Sequence, residues 1–330
     1  MVMLKSLSLK ALTPTSRANI SSFIGAKKAE RNNQRKINGI TIASEIDQII
    51  SLSDHLIFNS PAQKDRFLPR VQASGRPVHV GLRINPEHSE GEIAKYDPCA
   101  PGSRLGTPIT QLDHAALAGV DGLHMHTLCE QGFEPLARTW AAIEDRLAPY
   151  LGQLKWLNFG GGHHITRHNY DRDALIAFIT DLRARTGLQI YLEPGEAVAL
   201  DAGTLVGEVL DLPQNQIDLA ITDISATCHM PDVIEAPYRP AMLDEVTDGQ
   251  QYRFGGPSCL AGDVIGDYAL AQPLKIGDRF AFLDQAHYSM VKTNTFNGVA
   301  LPAIALWNSD TDKLTMIREF TYDDFRNRLS

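Results

Sequence analysis

Three groups of residues in this 330-residue chain have types and spacings suited to chemistry. The first is NFGGG (158–162), a strand-like run that ends in three glycines, Gly160, Gly161 and Gly162. Backbone without side chains can approach an anion closely, and its N–H groups can cradle a phosphate, although a tight turn would use the same glycines. The second is EPG (193–195), which closes the next strand-like run and sets Glu193 at the same mouth as the triplet. Beside a phosphate cradle, such a carboxylate can keep a pyridine nitrogen protonated, as a pyridoxal ring requires to act as an electron sink; alone, it reads as a surface acid. The third is GLHMHTLCE (122–130), where a period of two puts His124 and His126 on one strand face. That pair reads as metal ligands, as an imidazole stacked on a flat cofactor, or as hydrogen-bonded core histidines. His163 and His164 cannot face the same way in extended chain, so as metal ligands they are poor. Further on, GGPSCLAGD (255–263) places Cys259 in a glycine–proline loop, where a thiol is more exposed than in a core strand. AHYSMVKTNTFNG (286–298) supplies Tyr288 and Lys292 on a predicted strand that ends in a turn.

Those groups sit at the ends of a repeated pattern. Apolar β-type runs at 55–60, 78–85, 122–128, 154–162 and 188–196 alternate with amphipathic helices. Ile46, Ile49 and Ile50 mark one helix; Leu136, Trp140, Ile143 and Leu147 another; Leu175, Phe178, Ile179 and Leu182 a third, which Gly187 is placed to end as a left-handed cap. Strand–helix alternation argues a parallel sheet, and six or seven units whose strands end in polar or glycine-rich loops favour a (β/α)8 barrel over an open sheet. After residue 200 the texture is β-rich with NQ, DG and GD turn signals, the mark of a mostly antiparallel domain. The expected division is a barrel over 1–198, atypical at 1–38 where the chain is polar and basic, and a β domain over 199–330.

Composition narrows the function classes. Hydrophobic residues at 43% and charged residues at 21% fit an ordered globular protein. No apolar run approaches the ~18 residues that span a bilayer, so a membrane-embedded role is not expected. The first sixteen residues carry two lysines in a broken apolar stretch, a poor match to a secretory signal. Lys+Arg 31 against Asp+Glu 39 gives a net charge of −8, which lacks the basic footprint of a nucleic-acid binder and suits cationic ligands, polyamines included. Four scattered cysteines without C-x-x-C fit a reducing cytoplasm.

GLRINP (81–86), YDPCAPGSRLG (96–106), GLHMHTLCE, NFGGGHHIT (158–166), YLEPGEAV (191–198), CHMPD (228–232), GPSCLAGD (256–263), FLDQAHYSMVKTNTFNG (282–298) and MIREFTYDDF (316–325) occur in one order. Together they closely resemble the carboxynorspermidine/carboxyspermidine decarboxylase family, pyridoxal-phosphate enzymes related to diaminopimelate and ornithine decarboxylases. The resemblance implies a (β/α)8 barrel with a β domain, in a homodimer whose active sites are shared between subunits. It implies that His126 stacks on the cofactor ring, Glu193 binds its nitrogen, and Gly160, Gly161, Gly162 and Gly195 hold its phosphate with Tyr288. It makes Cys259, from the neighbouring subunit, the residue that manages protonation of the substrate carbon. Asp232 and Asp263 are placed to meet a cationic substrate, and Glu196 stands where ornithine decarboxylases carry an arginine.

The family's Schiff-base lysine follows an L-x-L-K-[AG] pattern, which assigns that role to Lys10 in SLSLKALT. The strand and helix that lead into it in the family have no counterpart here, and residues 13–38 do not match the units that follow it. An incomplete barrel and reduced activity are therefore expected. The reading is pyridoxal-phosphate-dependent decarboxylation of a small polycation, without a metal. Its alternatives are a catalytically impaired homologue with a binding or regulatory role, a metal-dependent hydrolase using His124 and His126, and a diaminopimelate- or ornithine-type decarboxylase.

Overall fold

The computed structural model describes residues 2–5, 36–39, 43–88, 90–91 and 94–329. The chain divides into two compact units, Leu12–Ala197 and a second made of Met1–Ala11 with Val198–Ser330. Strand β1 (Val2–Lys5) belongs to the second.

Unit Leu12–Ala197 is built on parallel strands. These are β2 (Lys36–Gly39), β3 (His55–Phe58), β4 (His79–Asn85), the two-residue β5 (Thr107–Pro108), β6 (Gly122–His124), β7 (Trp156–Asn158) and β8 (Gln189–Tyr191). The sheet order is β2-β3-β4-β6-β7-β8, with β5 paired to β4. Helices α1 (Ile46–Leu52), α2 (Pro61–Ala73), α3 (Glu134–Leu151) and α4 (Arg172–Thr186) lie in the connections. The period-3.6 apolar stripe of α3 buries Leu136, Trp140, Ile143 and Leu147, as the spacing predicts. Helix α4 buries Leu175, Ile179 and Leu182 and ends on Gly187 at φ 71°, the left-handed cap expected there. One register row across β4, β6 and β7 reads Gly81, Gly122, Trp156. A Cβ on Gly122 would lie 2.0 Å from the Trp156 ring, so two absent side chains make the room for one indole.

The second unit is a mostly antiparallel sheet. Its further strands are β9 (Gly203–Asp211), β10 (Gln214–Asn215), β11 (Ile217–Thr222), β12 (Glu245–Gly255), β13 (Val264–Leu270), β14 (Arg279–Phe282), β15 (Ile304–Asn308) and β16 (Lys313–Arg318). The order is β13-β12-β11-β9-β1-β15-β16, with β10 on β11 and β14 on β9; only β1/β15 and β11/β12 run parallel. Edge-to-face contacts among Phe254, Tyr268, Phe280 and Phe282 fill its core.

Two expectations are corrected here. Residues 2–5 read as part of the barrel, yet β1 pairs with β9 and β15, because a four-residue strand carries no local mark of its distant partners. The segment holding Tyr288 read as a strand, yet Tyr288–Val291 is a single helical turn capped by Lys292. An apolar run this short does not separate helix from strand.

Candidate active site

In the parallel unit, β6, β7 and β8 stand in register with His124 beside Asn158 beside Tyr191. Two residues beyond that row the three chains present His126, Gly160 and Glu193. Hydrogen bonds carry the alignment past the strand ends: Met125 N to Asn158 O at 2.9 Å, Phe159 N to Tyr191 O at 3.0 Å, Glu193 N to Gly160 O at 2.7 Å. Parallel sheets bring such strand ends together at one edge, which is where their ligands bind.

The Asn158 side chain, fully buried, organises this edge. Its Oδ1 accepts from Gly160 N at 2.9 Å, and its Nδ2 donates to Glu193 Oε1 at 2.7 Å. Glu193 Oε2 lies 3.7 Å from Nε2 of the buried His124. His126 Nδ1 accepts from Gly161 N at 3.3 Å, so that nitrogen carries a lone pair. Burial first, then the charges of Arg83 and His124, push the His126 value down from 6.5 to about 4, leaving a neutral imidazole plate. Arg83 on β4 faces Glu193 and Cys99; burial holds its own value low and pushes the Cys99 thiol up to about 12, an unreactive state. Arg83 and Asn158 both lie inside motifs read from the sequence, but the sequence does not single them out. Their signal would have been their strand positions one row below the site.

The glycine triplet is required by packing. A Cβ on Gly160 (φ +69°) would meet Met125 O at 2.6 Å, and one on Gly162 (φ +80°) would meet Leu128 O at 2.1 Å. A Cβ on Gly161 would lie 2.8 Å from Glu193 O and 3.1 Å from the His126 ring, filling the space between them. Gly195 opens the short helix α5 (Gly195–Ala199), and a Cβ there would meet nothing.

The second unit holds the other candidates. Cys259 is exposed in the turn between β12 and β13. Asp263 departs from its expected substrate role: it is 4% exposed, and its carboxylate accepts from Ser225 Oγ at 2.8 Å, Thr227 N at 3.1 Å and Ser258 N at 3.2 Å. A carboxylate so enclosed fixes the Cys259 loop rather than meeting an incoming amine. Asp232 Oδ1 accepts from Lys292 Nζ at 2.5 Å, and that ammonium lies 5.2 Å from the Tyr288 ring centroid, which gathers Asp232, Lys292 and Tyr288 into one cluster. His126, Glu193, Glu196 and the glycines thus belong to one unit, while Cys259, Asp232, Asp263 and Tyr288 belong to the other. Lys10 lies outside the described residues.

The family model described as pyridoxal-dependent decarboxylase, C-terminal sheet domain, matches residues 23–286. The chain belongs to the pyridoxal-dependent decarboxylase family. It is 41% identical over 298 residues to a carboxynorspermidine/carboxyspermidine decarboxylase of Campylobacter jejuni, covering 86% of this chain and 77% of that protein. It is 43% identical over 290 residues to a carboxyaminopropylagmatine decarboxylase of Synechocystis sp., covering 86% and 74%. The crystal structure of carboxynorspermidine decarboxylase complexed with norspermidine from Campylobacter jejuni superposes with a TM-score of 0.78 at 40% identity, covering 88% of this chain and 78% of that one. The enzyme is a pyridoxal-phosphate-dependent carboxy-lyase. The residues present fit that cofactor: a carboxylate held by an amide, a neutral imidazole plate beside it, and a glycine run whose space a Cβ would fill. No helix among the described residues is long and apolar enough to cross a membrane.

Proposed function

We propose that this enzyme removes the α-carboxylate of carboxynorspermidine and carboxyspermidine, giving norspermidine and spermidine. The observation that carries this reading is the gathering of His126, Gly160 and Glu193 just past three strand ends in register, in a chain 41% identical to a relative named for that reaction. When bound, pyridoxal phosphate supplies the electron sink for the pair left behind as carbon dioxide departs. Glu193, steadied by Asn158, keeps the proton on the ring nitrogen, and His126 offers its uncharged face to the ring. Gly160, Gly161, Gly162 and Gly195 hold the phosphate by leaving side-chain-free backbone around it, with Tyr288 as a further contact and Lys10 as the lysine that anchors the cofactor. Cys259 returns a proton to the substrate carbon, arriving from the neighbouring copy in a homodimer. Asp232 and Glu196 attract the amines, and a net charge of −8 favours the same polycation.

We further read Leu12–Ala197 as a (β/α)8 barrel, supported by six parallel strands in chain order. Exposed Leu314, Met316 and Ile317 on β16 support association of two copies, and four cysteines free of disulfides support a cytoplasmic setting. The 43% identity to a carboxyaminopropylagmatine decarboxylase favours one second reading, a substrate whose distal cation is a guanidinium.

Carbon dioxide release from each of the three carboxylated substrates by the cofactor-loaded enzyme tests both readings. The highest kcat/KM on carboxynorspermidine or carboxyspermidine supports the first. The highest value on carboxyaminopropylagmatine replaces it with the second, and release from none of them overturns both.

A further inference from the structure

Three segments of the parallel unit, the loops after β6 and β7 and the start of α5 after β8, each bring one metal-binding side chain to a common point: Glu130, His164 and Glu196. One ligand atom from each lies within 4.8 Å of the other two. These segments are tied by two backbone bonds, Gln131 N to Gly162 O at 3.0 Å and His164 N to Gln131 O at 3.2 Å, and by the Thr166 hydroxyl, whose Oγ1 donates to Ala197 O at 2.5 Å. Their relative placement is therefore set by bonds other than those of the three candidate ligands.

The decisive group is His164. It is only 2% exposed, and neither ring nitrogen has a hydrogen-bond partner. Buried imidazole nitrogens without partners are costly, and native proteins rarely leave them so. Its Nε2 lies 3.5 Å from Glu196 Oε2, beyond ordinary hydrogen-bond range. Two ligands each about 2.1 Å from one tetrahedral ion stand roughly 3.4 Å apart, so the gap matches a bridging cation. Glu130 is half exposed on its loop, where its carboxylate accepts from Arg167 Nη2 at 3.2 Å.

We propose that Glu130, His164 and Glu196 form a site for a divalent transition-metal ion of the zinc type. The imidazole selects against magnesium and calcium, which prefer all-oxygen shells, and three protein ligands leave a fourth position open. The ion locks the three segments together and offsets two carboxylates beside a glycine-lined edge, since His164 follows Gly162 by two positions and Glu196 follows Gly195 directly. The site rests on this geometry; with an ion bound, Glu196 serves as its ligand and the attraction of the amines falls to Asp232.

The test is titration of the tag-free, cofactor-loaded enzyme with zinc by calorimetry, and with cobalt by its visible absorption. The expected result is one ion per chain, with affinity falling about tenfold or more in Glu196→Gln and in Glu130→Gln. Glu130 is exposed, so its variant reads the site without touching the core; His164→Gln, checked for folding by circular dichroism, should lose binding altogether. Absence of a saturable site, or zinc affinity unchanged in both glutamate variants, overturns the proposal. Norspermidine binding that weakens in the same variants, without any zinc uptake, overturns it in favour of an ammonium subsite.

Discussion

In the parallel unit the buried polar side chains His124 and Asn158 end the neighbouring strands β6 and β7, and the buried His163 and His164 follow the glycine run in the loop after β7. In the antiparallel unit the buried carboxylate of Asp263 sits behind a turn and serves it, leaving the reactive candidate Cys259 outside. The first arrangement ties neighbouring strand ends together through Asn158, which meets both Gly160 N and Glu193 Oε1. The second leaves one thiol exposed on a turn. Parallel strand ends converge because every strand runs the same way, whereas antiparallel neighbours scatter their ends to both edges of the sheet.

Changing the convergent edge should have the largest effect. Gly162→Ala forces a Cβ against Leu128 O at a positive φ, which only a shift of the loop can relieve. We expect pyridoxal phosphate to be lost on gel filtration and stability to drop by about 2–4 kcal/mol in urea unfolding. Retention of one cofactor per chain would show that the cradle lies elsewhere. Next comes Glu193→Gln, which preserves the Asn158 contact in shape but cannot hold a proton on a ring nitrogen. Cofactor should stay bound while kcat falls by ~10²–10⁴, the usual weight of a placed acid or base. Turnover like that of the parent enzyme would remove Glu193 from the role.

In the antiparallel unit, Asp263→Asn replaces a carboxylate acceptor that three donors share. Hydrogen bonds to a charged group contribute ~1.5–3 kcal/mol, so Tm should fall by several degrees and the Cys259 loop should become sensitive to protease. An unchanged Tm would mean that the turn holds itself.

Acid should weaken the parallel unit through His126 and His163, both held at about 4 against an ordinary 6.5, burial being the leading cause for each. The folded rings stay neutral while the unfolded chain takes up protons, so this stability is complete above pH 6.5 and is lost as pH falls toward 4. The slope is up to about 1.4 kcal/mol per pH unit for each ring. Ring-carbon NMR titration of the cofactor-free chain should show both still neutral at pH 5; titration near 6.5 would contradict the buried placement.

The smallest effect belongs to Lys292→Met, which frees Asp232 from its ion pair. Partly exposed pairs are worth ~1 kcal/mol or less, so KM for the polycation should fall a few-fold, and less so at high salt. A raised KM would instead make Lys292 part of the substrate's binding.

Sequence alone determined the α/β alternation, the helical stripes of α3 and α4, the Gly187 cap and the residues at the glycine edge. Each of these depends on local periodicity or on a steric demand carried by one residue type. It also placed the chain among pyridoxal-phosphate decarboxylases, since nine ordered motifs specify a family more sharply than any single spacing. Tertiary structure alone decided that Val2–Lys5 joins the far sheet, because the partners of a four-residue strand lie some 200 and 300 positions away. It alone turned Asp263 inward and brought Glu130 to His164 and Glu196. The distances in those clusters arise from parallel strands in register, and register is a property of pairs of segments that neither segment carries by itself.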